Sequence, residues 1–402
     1  MSGAPIPTPT STPRPAGPPL LILVALTGIP TFSINIFVPS MPGLVAYFAT
    51  SGAAVQLGIT LYLLTIGLGQ LFFGPISDRF GRRPVLIAGV AIYMLGSLIC
   101  VVAPAIDEFL VGRVIQALGG CAGLVLGRAM IRDMHSREKS ASVLGYVTMT
   151  MAVATALAPS AGAYLDAWQG WRASFMLMSL LGAALLLGVW LRARETLHER
   201  APLPSLGHML GVYRTILLTP RFQRFGGYAV CLAAGYYAYV AGAPHVVITL
   251  FGLTPTQFGA FYLLTGSAYI SGNFLAGRLS ERIGLERMTA VGGVIAFAAG
   301  VALIGFGAAD IRHPLVVFGP IALSFLGTGL SQPSALSGAL DSHPRYIGAG
   351  AGLIGALQLG GGALASMTIG LTEGPTPLPF AILSGGMLVL AYAILLLRRE
   401  GK

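Results

Sequence analysis

The sequence predicts an all-α integral membrane protein, with twelve transmembrane helices in two pseudo-symmetric halves of six. Three observations predict it. The 402 residues are 55% hydrophobic and only 9% charged, with a mean hydropathy of +0.78, whereas a soluble domain carries about 25% charged residues. Twelve apolar runs approach the roughly 20 residues that cross a bilayer. A charged motif between the second and third runs returns half a chain later. So few charges cannot solvate the surface of a soluble protein of this size, so lipid solvates most of the chain. Buried helices of a large soluble enzyme would be the alternative, but the runs are too long and too numerous for it.

Residues 1–19, MSGAPIPTPTSTPRPAGPP, read as a disordered tail of polyproline character. They lack the layout of a cleavable signal. The first run, 20–42, is made partly polar by Thr31, Ser33 and Asn35, and Pro39 and Pro42 end it. Runs 54–76 and 84–103 flank GPISDRFGRRP at 74–84. The fourth, 108–130, holds Arg113, with Gln116 one turn on and Gly119 and Gly120 for close packing. The fifth, 140–165, carries Pro159 and Gly162 among alanines, which predicts a kink and a close helix contact. The sixth, 172–192, completes an N-terminal bundle over 20–192. A linker follows at 193–223, then a C-terminal bundle over 224–397 with runs at 224–248, 256–277, 288–308, 314–338, 346–370 and 377–397. A short tail, 398–402, ends the sequence.

Charge orients the runs. Lys and Arg collect on the cytoplasmic side of membrane proteins. With the N-terminus inside, 21 of the 24 basic residues fall in inner segments. Both termini are thus expected in the cytoplasm. The basic pI of 9.8 reflects orientation and anionic-lipid contact, with no nucleic acid invoked. Cys100, Cys121 and Cys231 sit inside apolar runs without metal or disulfide spacing. No cofactor, metal site, nucleotide loop or catalytic triad is legible, so an enzyme is not expected.

The motif at 74–84 recurs as GRLSERIGLER at 277–287. Gly277, Glu281, Arg282 and Gly284 repeat Gly74, Asp78, Arg79 and Gly81 at a constant offset of 203. A parallel repeat of this kind is the layout of transporters with two six-helix halves and a site between them. Gly74 is read as allowing close helix approach, Asp78 as an acceptor from a helix N-terminus or an arginine, and Gly81 as the tight turn. Arg79, Arg82 and Arg83 anchor at headgroups. The cluster is expected to latch the halves when the inner side shuts. A plain positive-inside loop explains the arginines but leaves the glycines, Asp78 and the second copy unexplained.

Arg113 is the only ionisable residue well inside a run, which by default marks function in a membrane. Snorkelling to the outer headgroups is the alternative. Asn35 lies at a similar depth and can bond a substrate or Arg113, but it cannot take up a proton. Tyr236, Tyr237 and Tyr239 cover two faces of the seventh run, suited to a planar drug or, for Tyr239, to an aromatic belt. His245 is a candidate for coupling, or a satisfied hydrogen-bonder near a helix end. Thr328, Ser331 and Gln332 add small polar groups to the tenth run, for substrate or as interhelical glue.

GPISDRFGRRP with GRVIQALGG resembles the major facilitator superfamily. INIFVPSMP, GRVIQALGGCAG, IRDMHSREKSASVLGY and APSAGAYLDAWQGWRASF make the first half similar to its bicyclomycin/chloramphenicol-resistance group of drug:proton antiporters. The resemblance implies the major facilitator fold, a role for Arg113 in proton coupling, and a weakened antiporter motif at APSAG. The group commonly has an aspartate where this chain has Asn35. The function expected is export of small, largely apolar compounds of phenicol or bicyclomycin type from the bacterial inner membrane. It would proceed by alternating access in exchange for protons, by a monomer whose partners are the drug or metabolite, protons and the lipid bilayer. Without a buried acid, neutral, zwitterionic or anionic substrates are favoured. An uncoupled metabolite exporter or facilitator of the same fold is the alternative, and a sensor would call for an added signalling domain.

Overall fold

The computed structural model describes residues 18–397 apart from 136, 198–199, 201 and 342–345. The expected tails at 1–17 and 398–402 lie outside the described residues. No strand occurs among those described. The first half contains α1 (Leu20–Asn35), a short α2 (Met41–Tyr47), α3 (Gly52–Phe80), α4 (Arg82–Val102), α5 (Ile106–Met134), α6 (Arg137–Gln169) and α7 (Arg172–Arg192). An amphipathic α8 (Leu206–Leu217) occupies the linker. The second half contains α9 (Pro220–Pro244), α10 (Pro255–Ile283), α11 (Leu285–Ala308), α12 (Pro314–Leu340), α13 (Ile347–Thr372) and α14 (Leu378–Leu397).

The breaks follow local chemistry. Pro39 lies in a 3-10 turn, Val38–Ser40, and Pro42 at the start of α2, where a missing N–H costs nothing. Gly81 separates α3 from α4 at φ +102°, and Gly284 separates α10 from α11 at φ +82°. Both are conformations in which a side chain is strained. Ser51 caps α3, and a reciprocal Thr254–Gln257 capping box starts α10.

Ten helical segments among the described residues are long and apolar enough to cross a membrane. Helices α6 and α10 are longer still than most, at 33 and 29 residues, but more polar. They pack on each other across the two halves. Ser160 Oγ donates to Gly259 O at 2.8 Å, and a Cβ at Gly266 would overlap Ala156. A helix facing protein needs small residues more than apolar ones. With them the described chain has twelve long helical segments, counting α1 with α2 and α9 with the π-helical turn His245–Leu250 as one each.

The cores are distributed unevenly. At the end bearing the 74–84 motif each half keeps its own cluster: Leu23, Leu86, Met130 and Ile131 in one, Phe222, Phe225, Ala339 and Leu395 in the other. Toward the opposite end a single core spans both halves, joining Phe37, Phe109 and Phe175 to Tyr239, Phe258 and Phe318. The halves therefore share one core at that end, whereas toward the motif-bearing end they keep separate cores and meet through α3 and α13, where a Cβ at Gly355 would overlap Gln70.

Candidate functional site

A cavity of about 550 Å³ lies between the halves and runs toward the motif-bearing end, reaching Leu340 at the last residue of α12. Five helices of the second half, α9, α10, α12, α13 and α14, supply most of its wall, and α1, α3, α5 and α6 of the first half supply the rest. Tyr236 and Tyr237 on α9 meet edge to face at 4.8 Å, and Phe325 on α12 stands 5.6 Å from Tyr236. Tyr269 on α10 donates to Gln332 Oε1 at 3.4 Å. Asn273, Gln70 and Gln358 add uncharged polar groups. No Asp or Glu lines it, and Arg128 is its one charged side chain among the described residues. Its Nη2 contacts Met151 Sδ at 3.9 Å, and it has no carboxylate partner among the described residues. Aromatic faces with a few neutral hydrogen-bonding groups suit an organic molecule of modest polarity.

Asn35 is fully buried behind this wall. Its Oδ1 accepts from Tyr236 Oη at 3.0 Å and Tyr262 Oη at 3.1 Å, and its Nδ2 donates to Thr31 O at 2.8 Å. The first half thus grips the second through one amide and two phenols. Arg113 does not reach Asn35. It lies in the interior of the first half at 0% exposure, which excludes snorkelling in this conformation. Its guanidinium stacks on Tyr62 at 4.1 Å and Phe37 at 4.5 Å. It donates to Gly58 O at 3.2 Å, to Ser33 O at 3.3 Å and to Gln116 Oε1 at 2.5 Å. Gln116 passes the chain on to Ser97 Oγ at 2.8 Å. One guanidinium nitrogen, Nη2, has no partner among the described residues. Aromatic faces and carbonyls replace the missing counter-ion.

His245 stands apart from the cavity, at the shared-core end, with Nε2 3.1 Å from Gly374 O. Tyr239 is fully buried against Tyr262 rather than at a headgroup level. Gly162 abuts the turn after α1, where a Cβ would overlap Ile36 O, and Pro159 sits within α6 one turn before it.

At the other end, Asp78 pairs with Arg82 at 2.6 Å, and Arg82 also reaches Asp133 at 3.1 Å and Ser77 Oγ at 2.5 Å. Glu195 caps the start of α4, accepting from the backbone N–H of Arg82 at 2.9 Å and of Arg83 at 3.1 Å. Arg83 itself donates to Ala193 O and Trp190 O. Every one of these partners belongs to the first half or to the segment that follows α7. Arg79 and Arg282 are exposed, and a Cβ at Gly74 or Gly277 would meet open space. The side chain of Glu281 lies outside the described residues.

The family model of the major facilitator superfamily matches residues 23–366. The chain belongs to the major facilitator superfamily. It is similar to multidrug resistance protein D of Escherichia coli, 30% identical over 358 residues, covering 88% of this chain and 89% of that protein. It is also similar to a bicyclomycin resistance protein homolog of Haemophilus influenzae, 27% identical, covering 92% and 94%. The resemblance to the bicyclomycin/chloramphenicol-resistance group therefore holds. Among solved structures, the xylose transporter XylE of E. coli in a partially occluded inward-open conformation superposes with a TM-score of 0.72 at 13% identity. It covers 95% of this chain and 98% of that one, and this carries the fold alone. The protein is a multi-pass membrane transporter of this superfamily.

Of the residues named from the sequence, Tyr236, Tyr237, Tyr239, Thr328 and Gln332 line the cavity; Tyr269, Asn273 and Arg128, which also line it, and Tyr262, Glu195 and Glu373, which lie elsewhere, were not named as site residues. Periodicity would have found Tyr269 and Asn273, which are four residues apart on α10 and share one helix face.

Proposed function

We propose that the protein is a secondary active exporter of small, largely apolar compounds of phenicol or bicyclomycin type, and not an enzyme. It works by alternating access in the bacterial inner membrane. The basic motif end and both termini lie in the cytoplasm, which makes this conformation inward-facing. The cavity lies within one chain, so a monomer suffices. The observation that carries the reading is an aromatic cavity between the halves, reaching toward the basic motif and lined by no carboxylate among the described residues. Such a site has no counter-charge for a cation and favours neutral, zwitterionic or anionic compounds. Export in exchange for protons is part of the proposal. Neutral Asn35 at the group's usual acid position favours the second reading, an uncoupled exporter or facilitator.

Everted membrane vesicles separate the two. Chloramphenicol should accumulate in vesicles holding the protein, and collapse of the pH gradient with nigericin should abolish accumulation under the antiport reading. Accumulation to equilibrium only, indifferent to nigericin, selects the facilitator. No protein-dependent uptake of any phenicol or bicyclomycin-like probe refutes both. Tyr236→Ala removes a stacking face worth about 1 kcal/mol, so the apparent affinity should weaken about fivefold to tenfold.

A further inference from the structure

The shared-core end contains an ionisable cluster that joins the halves. Glu373 follows directly on α13, and its side chain is only 20% exposed. It is wedged against the N-terminus of α3, where a Cβ on Gly52 would overlap its Oε2. Gln56, one turn along α3 and 1% exposed, donates from Nε2 to Glu373 Oε1 and to Ala241 O. Gln56 Oε1 is buried without a donor among the described residues. From the second half, His245 Nδ1 stands 4.0 Å from Glu373 Oε2. Asp310 and Arg312, paired at 3.1 Å, lie next to the segment after Glu373, with Arg312 donating to Pro375 O, and Arg172, bonded to Tyr47, is a further charged group at this end.

The protonation states follow from the partners. His245 Nε2 faces a carbonyl, which only accepts, so Nε2 carries a hydrogen. Nδ1 faces a carboxylate, so an ion pair requires the second ring proton. The α3 N-terminus and the Gln56 amide also favour the anion. Against these stands burial: closing the end withdraws the carboxylate from water.

We propose that Glu373 is a proton-binding site at the outer seal, taking up a proton from the external solution when that end is open and holding it as the end closes over Gly52 and Gln56. The step is simple protonation of a carboxylate to a carboxylic acid, and the proton returns to the same side on reopening. The site therefore sets the pH dependence of the gate and does not itself carry protons across. In the closed state burial holds this carboxyl above the ordinary glutamate range, outweighing His245 and the Gln56 amide, which pull it down. A group whose closed-state value is raised stabilises closure below its exposed value, and that stabilisation is lost as pH rises through the closed-state value. Acid should close the end, and alkali should open it.

The naming of this face as outer rests on the proposed orientation, so the test is made where orientation is irrelevant. The full chain, with its three cysteines replaced, is labelled at Ala46→Cys and Thr376→Cys, on opposite halves beside the seal, and placed in lipid nanodiscs without drug. Pulsed electron paramagnetic resonance between about pH 5 and about pH 8 should show the short-distance population rising as pH falls. The closed-to-open ratio should change by up to about tenfold per pH unit for one proton. Glu373→Gln, a fixed neutral mimic, should stay closed and lose the pH dependence. His245→Gln should keep the titration and move its midpoint upward. Wild-type pH dependence in Glu373→Gln, or dependence lost in His245→Gln but kept in Glu373→Gln, overturns the assignment. Gln56→Leu offers a second arm if Glu373→Gln does not fold: it removes the carboxylate's amide donor and should raise the midpoint, and an unmoved midpoint counts against the site. Because no drug is present, failure here leaves the export reading standing, and failure of export leaves this result intact.

Discussion

Arg113 holds its charge inside the first half with no acid to pair it among the described residues. Two rings sandwich the guanidinium and three acceptors use its N–H groups. That arrangement depends on a flat, delocalised cation with five donors in a fixed fork. A lysine supplies a compact ammonium with three donors, which cannot stack on Tyr62 and Phe37 while also reaching Gly58, Ser33 and Gln116. Arg113→Lys should therefore lower drug export by about tenfold or more while the protein reaches the membrane in unchanged amount. Vesicle transport normalised to protein level measures this, and undiminished export would remove Arg113 from the mechanism. Arg113 and Asn35 illustrate a limit of reading depth from sequence. Rise per residue places both at a similar level, but it says nothing of azimuth across the bundle. Asn35 turns toward Tyr236 and Tyr262 of the second half, and Arg113 turns into the first.

At the scale of elements, the turn between α3 and α4 joins three signals. Gly81 takes the left-handed conformation, Glu195 closes the exposed N–H groups of α4, and Arg82 bridges Asp78 and Asp133. Asp78→Asn removes the charge from the 2.6 Å pair but leaves Asp133 to hold Arg82. Transport should slow severalfold, with the ranking of substrates unchanged, as competition assays between two drugs would show. A changed ranking with an unchanged rate contradicts a gating role. Glu195→Gln should cost about 0.5–1 kcal/mol of stability by weakening the charged cap, read as a lower melting temperature of the purified protein. The long helices were legible because lipid demands unbroken apolar length. Helices α6 and α10 remained legible by length, though their mutual packing makes them more polar. The linker helix α8 was not legible: its apolar side chains cover one face over 12 residues, and proline-rich coil precedes it. Glu195 and Glu373 were hidden for a different reason. Each acts from the edge of a helix on a partner more than a hundred residues away, and no periodicity reports such a pairing.

For the whole molecule, the balance of charge between the halves decides what the cavity admits. Among the described residues, the charged groups that the cavity and its flanking interior hold at depth, Arg128 and Arg113, are both cationic, and no carboxylate faces the cavity. A lipophilic cation entering from the motif end meets Arg128 first and finds no anion beyond it. Its desolvation then goes uncompensated, at a cost of several kcal/mol. Asn35→Asp changes this balance with almost no change of shape. The new carboxylate would accept the same two phenolic hydrogens, from Tyr236 and Tyr262, and would lie directly behind the ring of Tyr236 at the cavity wall. The wild-type protein should leave ethidium in the vesicle medium, whereas Asn35→Asp should take it up, with chloramphenicol uptake altered less than about twofold. The measurement is paired uptake of the two compounds in the same vesicles. A folded Asn35→Asp protein that still ignores ethidium would show that entry past Arg128, rather than a counter-charge at the cavity wall, sets the selectivity, and Arg128→Gln would then be the substitution that admits cations.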